Sequence, residues 1–459
     1  MNLDALRADL AGLELRDDDA SLATYGHDES DQGDFRPELV AFPKDTAEVQ
    51  RIVRACNVHR VPLTPVAART GKSGGSLPIN GGLSVSLERM NKILAIRPED
   101  LTATVQPGVV LGDFQKAVEA QGLFYPPDPN SAPNCSLGGN VAENAGGPSA
   151  LKYGVTRDYV LGLEWVLPDG ELVRVGRQTI KGVAGYDLVG LFVGSEGTLG
   201  IATEITVKLL PRPRVVMTAL IPFADVLTAA RAVNAVLLGG LLPRCLELLD
   251  DVALAAVAGK GVPFPPGAGA VIIAEIDGTT EEGVFAELNL LAQIASKNGG
   301  LDAQIAVDRD QREKLWATRR MVSPALRELQ KYKFSEDIVV PRSRVPDAIE
   351  RFKKIGQELG LTVATYGHAG DGNLHTNVLY RSPADRPRVE QALEQLMKET
   401  VRLGGTISGE HGIGIAKKKY LSLEQSEQLI ALQRKLKVMF DPLTILNRGK
   451  VFPDEPKGQ

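Results

Sequence analysis

Apolar positions fall into short runs whose spacing changes character along the chain. The opening stretch of about twenty residues, MNLDALRADLAGLELRDDD, is acidic and amphipathic and predicts one surface helix. From Pro37 onward, PELVAFPKDTAEVQRIVRACNVHRVPLTPVA alternates strand-like runs with one amphipathic helix. Asp45 or Thr46 would cap that helix, and Val49, Ile52, Val53 and Cys56 would form its inner stripe. Strand, helix and strand within so short a span predict a βαβ unit. LSVSLERMNKILAI and LTATVQPGV read as further short strands, and LEWVLPDGELVRV as a hairpin turning at Asp169-Gly170.

The character shifts near Arg212-Pro213. Between about 215 and 400, strand-like runs (VVMTALIPF, GAVIIAEI, LTVATYGHA) alternate with long helical stretches (LTAARAVNAVLL, EEGVFAELNLLAQIASKNG, VEQALEQLMKETVRLGG). That pattern predicts an α+β domain with helices over an antiparallel sheet. A last helix, SEQLIALQRKLKVMF, precedes DPLTILNRGKVF. The expected division is 1–214, 215–404 and a C-terminal segment 405–459.

Length adds that two or three domains are needed, because single cores stop growing well below 459 residues. A net charge of −5 gives no electrostatic reason to expect nucleic acid or an anionic membrane as partner. Three widely spaced cysteines, Cys56, Cys135 and Cys245, form no framework and suit a reducing compartment. The N-terminus lacks the features of a signal peptide, and the most apolar segment is interrupted by Arg231 and too short to span a bilayer. A cytoplasmic protein is expected, with peripheral membrane contact allowed for.

Glycine is concentrated in two places. RTGKSGGS (69–76) follows a strand, and consecutive N–H groups in such a turn make a nest for an anion. Neither a P-loop nor GxGxxG is present. The second cluster, SAPNCSLGGNVAENAGGPSA (131–150), has little charge, which argues for burial against something polar. Two such segments together suggest one extended ligand with polar and flat parts.

Only five histidines occur, and two of them bracket HAGDGNLH (368–375). The glycines make a helix improbable there; a strand, a turn and a returning strand would bring His368 and His375 to one centre. Two imidazoles and a carboxylate compose a catalytic divalent-metal site, with Glu410 the obvious third member. Spacing alone leaves that reading and a pair of core histidines both open.

PVAARTGKSGGSLP, VQPGV, YPPDPNSAPNCSLGGNVAENAGGPSALKYG and GSEGTLGIATEITVKLLP resemble the FAD-binding domain of the vanillyl-alcohol-oxidase superfamily. HAGDGNLH, GTISGEHGIG and ILNRGKVF are similar to its D-lactate dehydrogenase, glycolate oxidase and D-2-hydroxyglutarate dehydrogenase branch. The resemblance spans nearly the whole chain in the expected order. It implies a two-subdomain FAD-binding domain of the PCMH type plus an α+β substrate (cap) domain.

By that resemblance, Arg69, Thr70, Gly71, Lys72, Ser73, Gly74, Gly75 and Ser76 would wrap the pyrophosphate of FAD. Pro127, Asp128, Ser136, Gly138, Gly139, Asn140, Asn144, Ala145 and Gly146 would run beside the flavin and ribityl chain. Glu196, Gly200 and Ile201 would meet the adenine half, and Asn447 would return to the flavin. Some relatives attach FAD through a histidine in the first loop; none stands here, which implies non-covalent FAD.

The same resemblance makes His368, His375 and Glu410 the metal ligands, with zinc the first choice and manganese or iron the alternatives. His411 becomes the general base, a role suited to an imidazole whose ordinary pKa is about 6.5. Arg319, in WATRRMVSPAL, would take the substrate carboxylate, while the adjacent Arg320 reads as a solvated helix position. Lys333 matches a second basic group loosely, with Lys331 competing, and Asn377 resembles an asparagine of the hydroxyglutarate-type members. The implied reaction is oxidation of a D-2-hydroxy acid to the 2-oxo acid, with D-lactate the first choice of substrate and D-2-hydroxyglutarate or glycolate the alternatives. No NAD, haem or iron–sulfur motif lies on the chain, so electrons would leave to an external quinone, electron-transferring flavoprotein, cytochrome or iron–sulfur subunit. A homodimer is allowed for. A metal-dependent hydrolase would leave both glycine clusters unexplained, and the superfamily's ether-lipid synthase carries a run of histidines absent here.

Overall fold

The computed structural model describes residues 2–261, 264–265, 267–306 and 308–454. They form two compact units: Met1–Gly146 with Val155–Arg212 and Glu410–Gln459, and Gly147–Gly154 with Pro213–Gly409.

In the first unit the expected βαβ element is present. Asp45 caps the helix Thr46–His59 by accepting the Glu48 N–H, and Val49, Ile52, Val53 and Cys56 are buried along it. The strands on either side, Leu39–Ala41 and Leu63–Val66, both pair in parallel with Leu83–Ser86. A second, five-stranded antiparallel sheet runs Ile93–Arg97, Thr102–Val105, Ile201–Lys208, Val160–Val166, Leu172–Gly176. Its last two strands are the anticipated hairpin, with Gly170 at φ +82°. The opening stretch corrects the sequence reading. Instead of one surface helix it forms Leu3–Asp9, a strand Leu15–Arg16 and a helix Asp19–Thr24. Gly12 at φ +89° reverses the chain, and Leu6 and Leu10 are fully buried in the core beside Val49 and Ile52.

The second unit is a seven-stranded, wholly antiparallel sheet, in the order Gln304–Ala306, Val215–Phe223, Ala270–Gly278, Cys245–Asp250, Thr362–His368, Asn373–Tyr380, Tyr332–Val339. Successive side chains along a strand alternate between faces. The pairings Leu249↔Tyr366, Tyr366↔His375, Asp337↔His375 and Ser335↔Asn377 therefore put Glu247, His368, His375, Asn377, Asp337 and Lys333 on one face. The helix Arg309–Leu329 packs on that same face, where Leu315, Val322, Ala325 and Leu326 share a core with Leu249, Tyr366 and Leu379. The opposite face is covered in part by the helix Val345–Glu358, whose Gly356 lies against Val363.

Two glycines of this unit separate backbone strain from crowding. Gly404 sits at φ +81°, and a Cβ there would meet nothing nearer than Pro341 Cγ at 3.8 Å. Gly372 sits at φ +89°, and its Cβ would press to 2.1 Å from the Val340 carbonyl oxygen. Gly404→Ala should destabilise by about 1 kcal/mol, the left-handed penalty alone. Gly372→Ala should cost upwards of roughly 3 kcal/mol, because backbone must move as well. Thermal melts checking this should place the Gly372 variant well below the Gly404 variant; equal melting temperatures would contradict the packing.

Candidate active site

HAGDGNLH folds as a strand, a tight turn and a returning strand. Asp371 N–H donates to the His368 carbonyl at 3.2 Å, Asn373 N–H donates to Asp371 Oδ1 at 3.1 Å, and Gly372 takes the left-handed conformation. The two imidazoles come together, ring centroids 5.2 Å apart with planes at 84°, and both are buried.

Beside them lies Glu247, which has no solvent contact. Arg319 donates to its Oε2 from Nε at 2.7 Å, with Nη2 in ion-pair contact at 2.6 Å, and His368 Nδ1 makes a short contact with Oε1. Burial alone would raise the Glu247 carboxyl; the charges of His368 and Arg319 outweigh it and hold the pKa down at about 2. The Arg319 guanidinium also lies over the Tyr366 ring at 4.7 Å, and Tyr366 faces His375 at 5.6 Å.

Lys333 is buried, its Nζ donating to Ser323 O at 2.9 Å and Oγ at 2.6 Å, with Asn377 Oδ1 at 3.4 Å. Lys331 is exposed, and Arg320 pairs at the surface with Glu313 at 3.5 Å. Sequence left the two lysines competing; burial places only Lys333 on the polar face. Asn377 Nδ2 donates to the His375 carbonyl at 3.1 Å, which fixes its amide. Asp337, paired opposite His375, also accepts the Gly409 N–H at 2.9 Å. Gly409 ends this unit, and Glu410 and His411 open the last segment of the first.

In the first unit the glycine loop, the 137–143 helix, the 412–415 turn and the C-terminus converge. Ser73 Oγ donates to Glu143 Oε1 at 3.1 Å and accepts the Gly75 N–H at 3.2 Å, and Ser76 Oγ donates to Asp28 Oδ2 at 3.2 Å. Glu196 accepts the N–H groups of Ile413 at 2.8 Å and Gly414 at 2.6 Å, so its side chain holds the turn that follows His411. Asn447 Nδ2 donates to Gly75 O at 3.0 Å and Glu196 O at 2.7 Å, while Lys450 Nζ donates to Gly75 O at 2.7 Å. Glu410 is here too: a Cβ on Gly146 would meet its Oε2 at 2.9 Å. Burial pushes the Glu143 carboxyl well above the ordinary range, and Glu196 beside it adds to the rise. Burial also pushes Lys450 down to about 7, against the pull of Asp28, Glu196 and Glu143.

Other predicted positions lie around this centre. The Arg69 guanidinium sits over the Tyr25 ring at 4.5 Å, and Lys72 reaches out to Glu29 at 2.7 Å. Pro127 O accepts from Gln115 Nε2 at 2.9 Å, and Asn144 Oδ1 accepts the Arg157 N–H at 2.8 Å. Gly138 and Gly200 are glycines for packing, since a Cβ would meet Pro107 Cβ at 2.6 Å and Trp165 Nε1 at 1.9 Å respectively. Sequence reasoning missed Glu247, Asp337, Glu143 and Lys450. A lone carboxylate inside the apolar run CLELL was the available signal for the first.

Two observations test whether this region suits a large polar cofactor. The Ser136 and Ser195 hydroxyls and Glu143 Oε2 are buried with no hydrogen-bond partner among the described residues, although buried polar groups are ordinarily satisfied. Arg69, Asn144, Glu196 and Asn447 all have positive φ, between 49° and 60°, a strained state that concentrates at functional sites. The residues fit the expected FAD.

Comparison with known proteins agrees. Residues 212–451 match the family model described as FAD linked oxidases, C-terminal domain, and 37–176 match the FAD binding domain model. The chain is 41% identical over 444 residues to the glycolate oxidase subunit GlcD of Bacillus subtilis, covering 96% of this chain and 94% of that one. It is 36% identical to the D-lactate dehydrogenase of Anaerostipes hadrus, covering 96% and 94%, and 35% identical to the D-2-hydroxyglutarate dehydrogenase of Stutzerimonas stutzeri, covering 96% of each. Among solved structures, p-cresol methylhydroxylase shares the fold with a TM-score of 0.80 at 18% identity, covering 98% of this chain and 96% of that one. A cradle of glycine turns, orphaned hydroxyls and strained polar residues thus stands in a chain matched along nearly its whole length, and the chain belongs to the family of FAD-linked oxidases.

Proposed function

We propose that the protein oxidises a small D-2-hydroxy acid to the 2-oxo acid with non-covalent FAD and a divalent ion held by His368, His375 and Glu410. The paired imidazoles beside the Glu247–Arg319 ion pair carry this reading. Nothing in FAD binding itself requires such a pair, and the relatives named for glycolate, D-lactate and D-2-hydroxyglutarate share the chemistry of an α-hydroxyl next to a carboxylate. D-lactate and glycolate head the candidates, with D-2-hydroxyglutarate next. Zinc is the first choice of ion, and Gly409, tied to Asp337, fixes the backbone from which Glu410 departs.

Each residue then has a bounded task. Arg319 binds the substrate carboxylate through the edge of its fork that Glu247 does not occupy. Lys333 and Asn377 form a polar pair that contacts the distal part of the acid. His411 accepts the hydroxyl proton on an imidazole nitrogen, and the Glu196-bound turn behind it limits its movement. FAD when bound supplies the hydride acceptor; the divalent ion supplies Lewis acidity toward the hydroxyl oxygen. The acceptor that reoxidises the flavin is an external quinone, electron-transferring flavoprotein, cytochrome or iron–sulfur subunit.

Anaerobic addition of a panel of D- and L-2-hydroxy acids should bleach the visible flavin absorption with D-lactate, glycolate or D-2-hydroxyglutarate, and metal analysis of the same sample should find about one divalent ion per chain. A flavin bleached by none of the panel would refute the proposed reaction.

His411→Ala should slow flavin reduction by about 10²–10⁴-fold while FAD stays bound. Arg319→Lys keeps a cation beside Glu247 and should raise the substrate KM about tenfold or more, since a point charge replaces a fork. Stopped-flow reduction of both variants checks these values; a parental KM for the lysine variant would remove Arg319 from the carboxylate site.

A further inference from the structure

Glu247 has no part in the chemistry assigned above, yet it touches both groups that chemistry depends on. An unpaired carboxylate at full burial is strongly disfavoured, so its retention requires the two cationic or proton-bearing partners found there. An ionised carboxylate only accepts hydrogen bonds, so the His368 nitrogen facing Oε1, Nδ1, is the one carrying hydrogen. In the neutral imidazole, the state that ligates an ion, that leaves Nε2 as the lone-pair nitrogen, the atom used as ligand when the other nitrogen is tied to a carboxylate. Oε2 meanwhile accepts from Nε of Arg319 and pairs with Nη2, so Glu247 engages one edge of the guanidinium.

We propose that Glu247 is a positioning residue that sets, with one buried carboxylate, both the tautomer of the metal ligand His368 and the orientation of Arg319 toward the substrate carboxylate. The ion and the acid are thereby coupled through a residue that touches neither. Glu247 stands one step beyond the paired Leu248↔Gly367, on the strand beside His368, so the sheet register itself holds the carboxylate opposite the imidazole. The inference rests on the reading of His368 as a metal ligand.

The test uses the FAD-loaded full-length protein with Glu247→Gln and His368→Ala. Zinc affinity is measured by competition with a chromophoric chelator, alongside substrate KM, kcat, FAD content and melting temperature. For Glu247→Gln the expected result is zinc binding weakened about 10–100-fold together with a raised KM, at near-parental FAD content. A fall in melting temperature with zinc affinity and KM both within twofold of parent would make Glu247 merely structural and overturn the proposal. His368→Ala separates the two layers: if it binds zinc like the parent, the metal reading itself has failed, whatever Glu247 does.

Should Glu247→Gln not fold, histidine-selective 15N NMR of the metal-free parent decides. Only five imidazoles contribute, and the His368 signals are those missing from His368→Ala. Hydrogen on Nδ1 supports the proposal; hydrogen on Nε2 alone overturns it.

Discussion

The first unit depends on a carboxylate accepting two backbone N–H groups. Glu196, itself held at positive φ, binds Ile413 and Gly414, and its carbonyl accepts the Asn447 amide. Those contacts span more than two hundred residues of sequence and join the last segment of the chain to the glycine loop. They add to the bonds from Ile415 and Ala416 N–H to Ser73 O and from Asn447 and Lys450 to Gly75 O, which tie the same segments together. The meeting of the glycine loop with the last segment is consequently a product of long-range hydrogen bonds, not of one local motif.

The second unit applies a different device. A β-sheet face is usually apolar where it meets a helix, and here Leu249, Tyr366 and Leu379 do pack against the helix Arg309–Leu329. The same face carries Glu247, His368, His375, Asp337 and Lys333, all buried. Burying such groups is tolerable when each has polar or charged partners, as Glu247 has in Arg319 and His368, Lys333 in Ser323 and Asn377, and Asp337 in Asn373 and Gly409, which gives the polar half of the face a single consistent arrangement. This rigidity is what a chemical site on a sheet requires.

Much of this was legible in the sequence, for identifiable reasons. Periodicity located the helix Thr46–His59, because one face of it is buried and a cap marks its start, and the Asp169-Gly170 turn marked the hairpin. The turn in HAGDGNLH was readable because its glycines exclude a helix. The opening stretch was misread as one helix: its acidic amphipathic pattern continues through Gly12, and nothing local reveals that Leu6 and Leu10 are claimed by a distant core. Glu247 stood out only as a carboxylate in an apolar run, with no local sign of its partners. Its neighbours are all apolar, and only the pairing of strands far apart in sequence brings it to His368 and Arg319.

The first unit is assembled from three stretches of chain, with 147–154 and 213–409 belonging elsewhere. During synthesis the ribosome therefore delivers every residue of the second unit before it releases the segment from Glu410 onward. The second unit can close on itself while the first still lacks the partners of Glu196 and Gly75. A chain that stops short of Lys450 would therefore carry every strand of the second unit's sheet while the glycine loop of the first still lacked the Lys450 contact to Gly75.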